Sequence, residues 1–523
     1  MRSLPSSVAR IPSAIWVLLA IMLLGIGLRT YQFHDWLRFN NDQARDAALT
    51  SEILTGQVVP LLGPKAGGTE FRLGPAFYYI QAASGKIFGN YPDALAYPEL
   101  FFSILTIVLL FFFLRRYFSE KISLLLALMG AISYFAVRYG RFSWNPNAEP
   151  FWTLLLLFSL LKVFDSKTNR RYLWSITGGL ALGVAVQLHT LLLVTLPVYL
   201  LVIFGYAIFR KMPLKKYFLV MVLTAALLNV PQLVDFSKTG GKNIQAFFQA
   251  NKAKQSRNTS VFDSLFTVAQ CSLQANIHIV SGLGDNDVCS FFRIEQKNIS
   301  EQMGAVLTLF LGMVLACGGL FLLASRLTTE EDDNRRRFLM FTALYGLLSL
   351  LVLIPVAHEI SIRFYLGLYF IPFILLGLCF EWLHARSWKS KTAMLVFVAV
   401  LFSLSNLKAL GDDFISVSSD ARGLTSIMTL GDLEGLTSAL AKHADPSRLV
   451  MIDGKKNVLF HLYRPLAYIA SLHHLTLSRY DDTLASLPTT QIFLIRLTNE
   501  HSDETERAIS LEKVGRYTLI ETQ

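Results

Sequence analysis

The sequence predicts an α-helical polytopic membrane protein that carries a small α/β domain at its C-terminal end. Hydrophobic residues make up 53% of the 523 positions and charged residues only 16%, which is more apolar side chain than a soluble core can bury. About eleven apolar stretches, most of them near the ~20 residues that one bilayer crossing needs, lie between residues 12 and 408. Beyond them the chain changes to short strand-like and helical segments.

The predicted spans follow one another with mostly short connections. They cover residues 12–28, 98–114, 121–137, 150–164, 172–188, 190–209, 217–234, 303–325, 338–356, 364–382 and 392–408. The apolar run from 172 to 209 has about twice the length of one crossing, so we divide it at the polar turn before Thr190 into a hairpin. The first span lacks a small-x-small cleavage site, which favours a retained helix over a signal peptide.

Basic residues mark one side of this domain. They occupy the short connections on that side: Arg115, Arg116, Lys121, Lys167, Arg170, Arg171, Arg210, Lys211, Lys215, Lys216, Arg335, Arg336, Arg337, Arg386, Lys389 and Lys391. The positive-inside rule assigns this side to the cytoplasm, which places the N-terminus inside and the C-terminal segment outside. The net charge of +11 therefore needs no nucleic acid to explain it.

Three long segments face the outside in this topology. They are residues 29–97, 235–302 and 409–523. The last of them contains strand-like runs at Leu449–Ile452 and Ile492–Ile495 with helical stretches between, which predicts a small α/β domain. We therefore divide the chain into a membrane domain, residues 1–408, and an outer domain, residues 409–523.

The first outer loop is predicted to form two short helices. One runs from Asp42 to Thr55, and the other from Pro75 to about Gly89. Each has an apolar face, which suits a helix lying in the plane of the membrane interface. The glycines and proline from Gly63 onward predict irregular backbone between the two helices.

Charged residues are concentrated at the outer ends of the spans. The central parts of all the predicted spans lack Asp, Glu, Lys and Arg, whereas a coupled transporter generally needs ionisable or discontinuous elements near the midplane. Asp42, Arg72, Arg141 and Arg363 instead lie at or beyond the outer ends. This distribution indicates a reaction at the interface, between a lipid-borne substrate and a molecule outside.

These features resemble a known family. The outward Asp42 after the first span, the two surface helices, the loop from Tyr139 to Pro146 and the Arg363-Phe364-Tyr365 sequence that opens a late span are similar to the GT-C glycosyltransferases. The chain most resembles the family 39 and aminoarabinose-transferase-like branch. That resemblance implies transfer of a sugar from a polyprenyl phosphate carrier, in the plasma membrane or the inner membrane of a bacterium.

The resemblance also suggests roles for individual residues. The first-loop Asp of the family is its proposed general base and is often followed by Glu, whereas Gln43 follows Asp42 here. The family's Lys-Pro-Pro-Leu segment, whose Lys contacts the carrier phosphate, is most similar to the segment that starts at Arg72. Glu149 is available where some relatives bring a second acidic residue. A divalent metal stays open but is not supported by this set of residues, and we assign no other cofactor.

The chemistry itself explains these residue types. A hydroxyl acceptor that attacks an anomeric carbon must lose its proton, and a carboxylate within hydrogen-bond reach can take it; Asp42 is the candidate for this inverting transfer. The departing polyprenyl phosphate gains negative charge, so fixed guanidinium groups stabilise the transition state more than the ground state. Arg72, Arg141 and Arg363 are the candidates for this role.

Seven further residues near the outer ends are candidates for contacts with the substrates. They are Tyr78, Tyr79, Trp144, Asn145, Glu149, His189 and His358. The aromatic side chains among them equally suit an interfacial belt, and the two histidines equally suit structural turns. Two other functions stay open at this point: a lipid-linked saccharide transporter and a noncatalytic protein of envelope assembly.

Two cysteines share the second long outer segment. Cys271 and Cys289 lie 18 positions apart, either as unrelated thiols or as a disulfide. The oxidising environment outside the membrane favours the disulfide.

Overall fold

The computed structural model describes most of the chain. It covers residues 13–255, 260–284, 289, 299–418, 428–445, 447–481, 490–497 and 508–522. Helices dominate these residues, and a small sheet lies near the C-terminus. The predicted fold class is therefore confirmed.

The helices and strands of the described residues have the following bounds. The α-helices are α1 (Ser13–Thr30), α2 (Asn41–Leu54), α3 (Ala76–Phe88), α4 (Pro92–Leu114), α5 (Glu120–Ile132), α6 (Tyr134–Tyr139), α7 (Glu149–Phe164), α8 (Arg171–Ala185), α9 (Thr190–Phe209), α10 (Lys215–Leu228), α11 (Val230–Thr239), α12 (Lys242–Gln255), α13 (Val261–Ser281), α14 (Ile299–Thr329), α15 (Asp333–Leu353), α16 (Ile371–His384), α17 (Lys391–Ser418), α18 (Leu430–His443) and α19 (Lys456–Leu472). Three 3-10 segments cover Asn145–Ala148, Ile354–Glu359 and Ile362–Leu368. The strands are β1 (Leu449–Asp453), β2 (Leu477–Arg479), β3 (Thr490–Leu497), β4 (Ala508–Val514) and β5 (Tyr517–Thr522).

Each predicted span coincides with helical structure. By length and composition, seven helices of the described residues could cross a membrane, or nine if α10 with α11 and Ile362–Leu368 with α16 each form one bent span. The remaining two predicted spans fall on α5 and α8, which have 13 and 15 residues and so are shorter than the ~20 residues of a full crossing. The predicted number of about eleven spans stays a prediction.

Proline explains where the two bent spans change direction. The axes of α10 and α11 differ by 60°, and the break lies just before Pro231. The bend of 67° before α16 lies just before Pro372. A proline has no backbone N–H to donate and its ring clashes with the carbonyl four residues earlier, so it interrupts a running helix but is tolerated in the first turn of a new one.

The break between α5 and α6 is stabilised by side chains from distant helices. Ser133 leaves the helical conformation and caps α6 through its hydroxyl, which also donates to the carbonyl of Ile279 at 2.7 Å. Asn406 accepts from the N–H of Tyr134 at 2.8 Å and donates to the carbonyl of Val280 at 2.8 Å. Backbone groups that the break removes from the helix thus find partners within the protein, as they must inside a bilayer.

A buried arginine completes the same region. Arg29, in the last turn of α1, is fully buried. Its Nη1 donates to the carbonyls of Ala131 at 2.7 Å and Gly25 at 3.1 Å, and its Nε donates to the hydroxyl of Ser103 at 2.8 Å. One guanidinium therefore joins α1, α4 and the C-terminal end of α5.

The first outer loop contains the two predicted helices. A capping box, in which Asn40 and Gln43 each bond the other's backbone, starts α2. The chain leaves that helix through Gly56, whose φ of +76° is a conformation that favours glycine. Pro75 precedes α3, and Gly89 ends it with a φ of +101°. The two helices pack against each other.

The second outer segment contains a helix that the sequence pattern did not predict. α13 packs against α14, α16 and α17, and its side chains His278 and Ala275 are buried. Cys271, at the middle of this helix, is disulfide-bonded to Cys289, and their Cα atoms lie 5.0 Å apart. Residues 261–281 are thus part of the helical bundle rather than a connection outside it.

The C-terminal domain is built on a five-stranded sheet with the order β2-β1-β3-β5-β4. β1 pairs in parallel with β2 and β3, and β5 pairs antiparallel with β3 and β4. Both strand-like runs of the sequence form neighbouring central strands, with Met451 opposite Ile492. α17 continues to Ser418, beyond the predicted division at residue 408, so that boundary stays a prediction.

This domain is hydrogen-bonded to the first outer loop. Phe39 donates from its backbone N–H to the carbonyl of Met428 at 2.9 Å, and Leu430 donates to the carbonyl of Leu37 at 2.9 Å. α19 packs along α2, and the side chain of Asn41 donates to the carbonyl of Phe460 at 2.8 Å. The C-terminal domain therefore lies directly against the helix that carries Asp42.

A histidine joins the two parts of the chain at this contact. His34 has Asp93, in the first turn of α4, 3.2 Å from its Nδ1 and Glu434, on α18, 3.1 Å from its Nε2. Burial alone would lower the pKa of His34, but the hydrogen bonds and negative charges of Asp93 and Glu434 outweigh it and raise the pKa. Tyr91 also donates its hydroxyl to Glu434.

The raised pKa of His34 predicts a pH dependence of stability. A raised folded-state pKa stabilises the fold fully below the unfolded value of about 6.5, and this contribution is lost as the pH rises through the folded-state pKa. We expect the unfolding temperature to fall between about pH 6 and about pH 8.5 by more in the wild-type protein than in His34→Gln. Thermal unfolding of both proteins over this range measures the difference. Parallel curves would show that the His34 contact does not contribute.

Candidate active site

Three charged side chains lie on one face of α2. Asp42, Arg45 and Asp46 are spaced i, i+3 and i+4, so they are neighbours on the helix surface. Arg45 donates from Nη1 to Asp42 at 2.9 Å, and it holds Asp46 with two bonds, from Nε at 2.9 Å and from Nη2 at 3.1 Å. The side chain of Asp42 is 59% exposed, that of Arg45 38% and that of Asp46 2%. The buried carboxylate therefore anchors the guanidinium, which in turn holds the exposed carboxylate.

Asp46 has a second partner on α3. The hydroxyl of Tyr78 donates to Asp46 at 2.9 Å. Burial raises the pKa of Asp46 against the opposing effect of the Arg45 bonds, and burial together with the charge of Asp46 raises the pKa of Tyr78. Tyr78 is 1% exposed, so its ring is not free to stack on a sugar. The predicted substrate contact of Tyr78 is corrected to a structural bond with Asp46.

A buried amide network joins α2 and α3 to Ser143, which lies between α6 and the 3-10 segment that begins at Asn145. Gln43 donates to the carbonyl of Ser143 at 3.0 Å, and Gln81 donates to the hydroxyl of the same serine. Thr50 donates to Gln81 at 3.2 Å. Gln43 thus has a structural role here, at the position where the resembling family often has Glu.

Arg72 lies in the segment between α2 and α3. Its backbone is held on both sides by Asn243, which accepts from the N–H of Arg72 at 2.9 Å and donates to its carbonyl at 2.9 Å. Its guanidinium donates to the carbonyl of Gly63 at 3.3 Å. The positive charge of Arg72 acts to lower the pKa of Tyr78, which places the guanidinium within electrostatic range of the Asp46 site. Among the described residues, Arg72 makes no hydrogen bond or ion pair with Asp42, Arg45 or Asp46.

Arg141 has a different role from the one predicted. Its Nη1 donates to the carbonyls of Leu28 and Arg29, both at 3.1 Å, and its Nη2 donates to those of Tyr31 at 2.7 Å and Gln32 at 3.4 Å. A guanidinium at a helix C-terminus satisfies carbonyls that lack partners in the helix. Its donors are used by the end of α1, so Arg141 is corrected from a phosphate ligand to a helix cap.

Arg363 belongs to a second cluster. Its guanidinium carbon lies 5.9 Å from the ring centre of Trp144 and 5.8 Å from that of Phe364. The ring of His189 meets Phe364 edge-on at 5.3 Å. The side chain of Arg363 is exposed, and within the described residues it makes no ion pair, so its donors are open to a ligand. Trp144 directly follows Ser143, which connects this cluster to α2 and α3.

Three of the remaining predicted substrate contacts are bonded to the protein or buried within it. Tyr79 donates to the carbonyl of Pro60 at 2.7 Å, and the side chain of Asn145 bonds the carbonyl of Leu188. Glu149 is 1% exposed and lies beside Gly367, where an added Cβ would come within 3.1 Å of its Oε2. The nearest carboxylate to His358 is its chain neighbour Glu359 at 3.5 Å. Tyr79, Asn145 and Glu149 are therefore corrected to structural roles.

The donor set at α2 does not suit a metal ion in this arrangement. The carboxylates of Asp42 and Asp46 already share the guanidinium of Arg45. A cation between them would have to displace that arginine. Over the ranges that the structure describes, no group of three or more His, Cys, Asp or Glu side chains is placed to hold a metal.

Comparison with known proteins identifies the fold. Residues 73–234 match the family described as dolichyl-phosphate-mannose-protein mannosyltransferase, and no curated protein matches the sequence significantly. Among solved structures, ArnT from Cupriavidus metallidurans bound to undecaprenyl phosphate is similar, with a TM-score of 0.54 and 12% identity over 97% of both chains. The chain has the GT-C fold. The apo state of the same ArnT is similar over 97% of both chains, with a TM-score of 0.53 and 11% identity.

A more distant relative shares the GT-C fold. The oligosaccharyltransferase from Archaeoglobus fulgidus, in a complex with Zn and sulfate, matches with a TM-score of 0.51 and 11% identity over 92% of this chain and 67% of that one. The predicted resemblance to the GT-C glycosyltransferases is thus confirmed at the level of fold. Identities this low carry no residue roles from those proteins to this one.

Asp42 was predicted from the sequence, but Arg45 and Asp46, the side chains that hold it, were not. Arg45 and Asp46 stand in the same short segment, and their spacing relative to Asp42 was a usable signal for an ion-pair network on one helix face.

The structure predicts that Asp46→Asn lowers the free energy of unfolding by about 2 kcal/mol, because it leaves Arg45 without its buried partner. The expected loss is modest because Arg45 is partly exposed. Thermal unfolding measures the loss.

Glu52→Gln is the matched control for Asp46→Asn, since Glu52 lies exposed on the same helix. We expect this control to unfold at the wild-type temperature. An Asp46→Asn protein as stable as the control would contradict the anchoring role of Asp46.

Proposed function

We propose that this protein is an inverting glycosyltransferase that moves a sugar from a polyprenyl phosphate carrier to a hydroxyl acceptor at the outer face of the membrane. The observation that carries this proposal is the exposed carboxylate of Asp42, held by Arg45 on α2 of a GT-C fold. An ArnT structure with this fold is bound to undecaprenyl phosphate, which supports a carrier of that class here. The acceptor is a glycolipid, a polysaccharide or a protein.

Asp42 is the general base of the proposed reaction. The acceptor oxygen forms a bond to the anomeric carbon, the bond from that carbon to the phosphate oxygen breaks, and the leaving phosphate takes the electron pair. The acceptor proton passes to a carboxylate oxygen of Asp42. One oxygen of this carboxylate is bonded by Arg45 at 2.9 Å, which fixes the orientation of the group and leaves the other oxygen for the acceptor.

Arg72 and Arg363 stabilise the leaving phosphate in this proposal. The charge on that phosphate increases as the bond to the sugar breaks, so a guanidinium that is already in place lowers the barrier. Arg72 is fixed through its backbone by Asn243, and Arg363 is positioned between two aromatic rings. Trp144 and His189, which belong to the Arg363 cluster, are the proposed sugar contacts.

A direct test is to incubate the purified protein with a panel of polyprenyl-phosphate sugars. We expect released polyprenyl phosphate, detected by mass spectrometry, with one donor of the panel. No release from any donor in the presence of cell-envelope acceptor extracts would contradict the proposal and favour transport or a noncatalytic role.

The first variant to test is Asp42→Asn. It keeps the size of the side chain and removes the base, so the rate of transfer should fall by roughly 100-fold or more. The side chain is exposed, so the fold should be unchanged. Asp35→Asn, an exposed change in the same outer loop, is the control and should retain the wild-type rate. A rate for Asp42→Asn within a few-fold of wild type would remove Asp42 from the mechanism.

The second variant is Arg363→Lys. A lysine keeps the charge but lacks the planar fork that holds two phosphate oxygens at once. We expect normal folding and a rate of transfer lower by about tenfold, the factor that ~1.4 kcal/mol of lost transition-state stabilisation represents. Arg448→Lys, an exposed arginine of the C-terminal domain, is the matched control. Equal rates for both variants and the wild type would show that Arg363 does not clamp the phosphate.

A further inference from the structure

An apolar groove lies on the membrane domain, and the residues of the Asp42 site do not line it. It runs between α4, α7 and α8 and has a volume of about 600 Å³. Its walls include Leu105, Phe112, Phe151, Phe158 and Trp174. The side chain of Phe112 is 46% exposed, so the groove opens sideways, toward the position of the lipid, rather than into the bundle.

One end of the groove is basic. Arg115, Arg116 and Lys162 line it there, at the C-terminal ends of α4 and α7, which the positive-inside rule assigns to the cytoplasmic side. Between residues 151 and 162, α7 rises by about 16 Å, which is close to half of the ~30 Å hydrocarbon core. The groove therefore has the depth of a single leaflet.

Two of the three charges at that end have carboxylate partners, and the third, that of Lys162, has none among the described residues. Arg115 is paired with Glu120 at 2.6 Å, and Arg116 is paired with Asp165 at 2.7 Å. Lys162 instead places its ammonium over two aromatic rings, 5.3 Å from the centre of Phe158 and 5.5 Å from that of Trp174. Within the part of the chain that the structure describes, Lys162 forms no ion pair.

We propose that this groove binds one anionic glycerophospholipid of the cytoplasmic leaflet, with an acyl chain along the aromatic walls and the phosphate at Lys162. A lysine at the edge of the hydrocarbon region is stable only where its ammonium reaches water or an anion. A lipid phosphate at the groove mouth supplies that anion, and the apolar walls take the chain that is attached to it.

The test uses native mass spectrometry of the purified full-length protein with phosphatidylglycerol and phosphatidylcholine of identical acyl chains. We expect the wild type to retain one phosphatidylglycerol in preference to phosphatidylcholine. Lys162→Gln should reduce the affinity for phosphatidylglycerol by about fivefold, the factor for one lysine at a lipid surface. Lys162→Arg keeps the positive charge and should therefore keep the preference for phosphatidylglycerol over phosphatidylcholine.

Lys215→Gln is the matched control, because Lys215 is an exposed lysine at the same predicted side and is not part of the groove. It should bind phosphatidylglycerol as the wild type does. Equal retention of both lipids by the wild type would overturn the proposal without reference to any variant. Wild-type affinity for phosphatidylglycerol in a folded Lys162→Gln protein would overturn it as well. Displacement of phosphatidylglycerol by an equal concentration of undecaprenyl phosphate would also overturn it and would assign the groove to the carrier.

Discussion

Every backbone polar group inside a bilayer needs a partner in the protein, and this constraint governs the whole membrane domain. Continuous helices meet it by themselves, but this chain breaks its spans at Ser133 and near Pro372. At Ser133 the freed groups are bonded by Asn406 and by the serine itself, and Arg29 bonds the carbonyl of Ala131 in the turn before the break. Asn406 lies on α17, Arg29 lies on α1 and Ser133 bonds to α13, so the break requires all three elements to be in place.

The order of elements could be predicted from the sequence because the signals for it are local. Hydropathy located helical structure at every predicted span, glycine and proline bounded the two helices of the first outer loop, and β-rich runs located β1 and β3. The breaks were not predicted, because Ser133 sits in an apolar stretch and its partners are more than a hundred residues away. α13 was assigned to an outer segment for a similar reason, since its sequence is amphipathic and its buried face is recognised only when α14, α16 and α17 pack against it.

The candidate site was predictable only in part, since residue type does not reveal which groups a side chain already bonds. Asp42 and Arg363 are exposed, so a ligand can reach them, and Arg72 is half-buried. Arg141 has the same chemistry and a similar place in the sequence, yet its donors are used by carbonyls of the turn that ends α1. Asp46 was overlooked in favour of Asp42, although its burial makes it the anchor of the network.

The pairing of residues 37–39 with residues 428–430 makes the two domains structurally dependent on each other. This short ladder joins segments that are nearly four hundred residues apart, and it precedes α2 by only a few residues. A fragment that ended at α17 would leave the backbone at Phe39 without its partner and would expose the face of α2 that α19 covers. During synthesis, the N-terminal end of α2 can therefore reach its final hydrogen bonding only after the C-terminal domain has emerged.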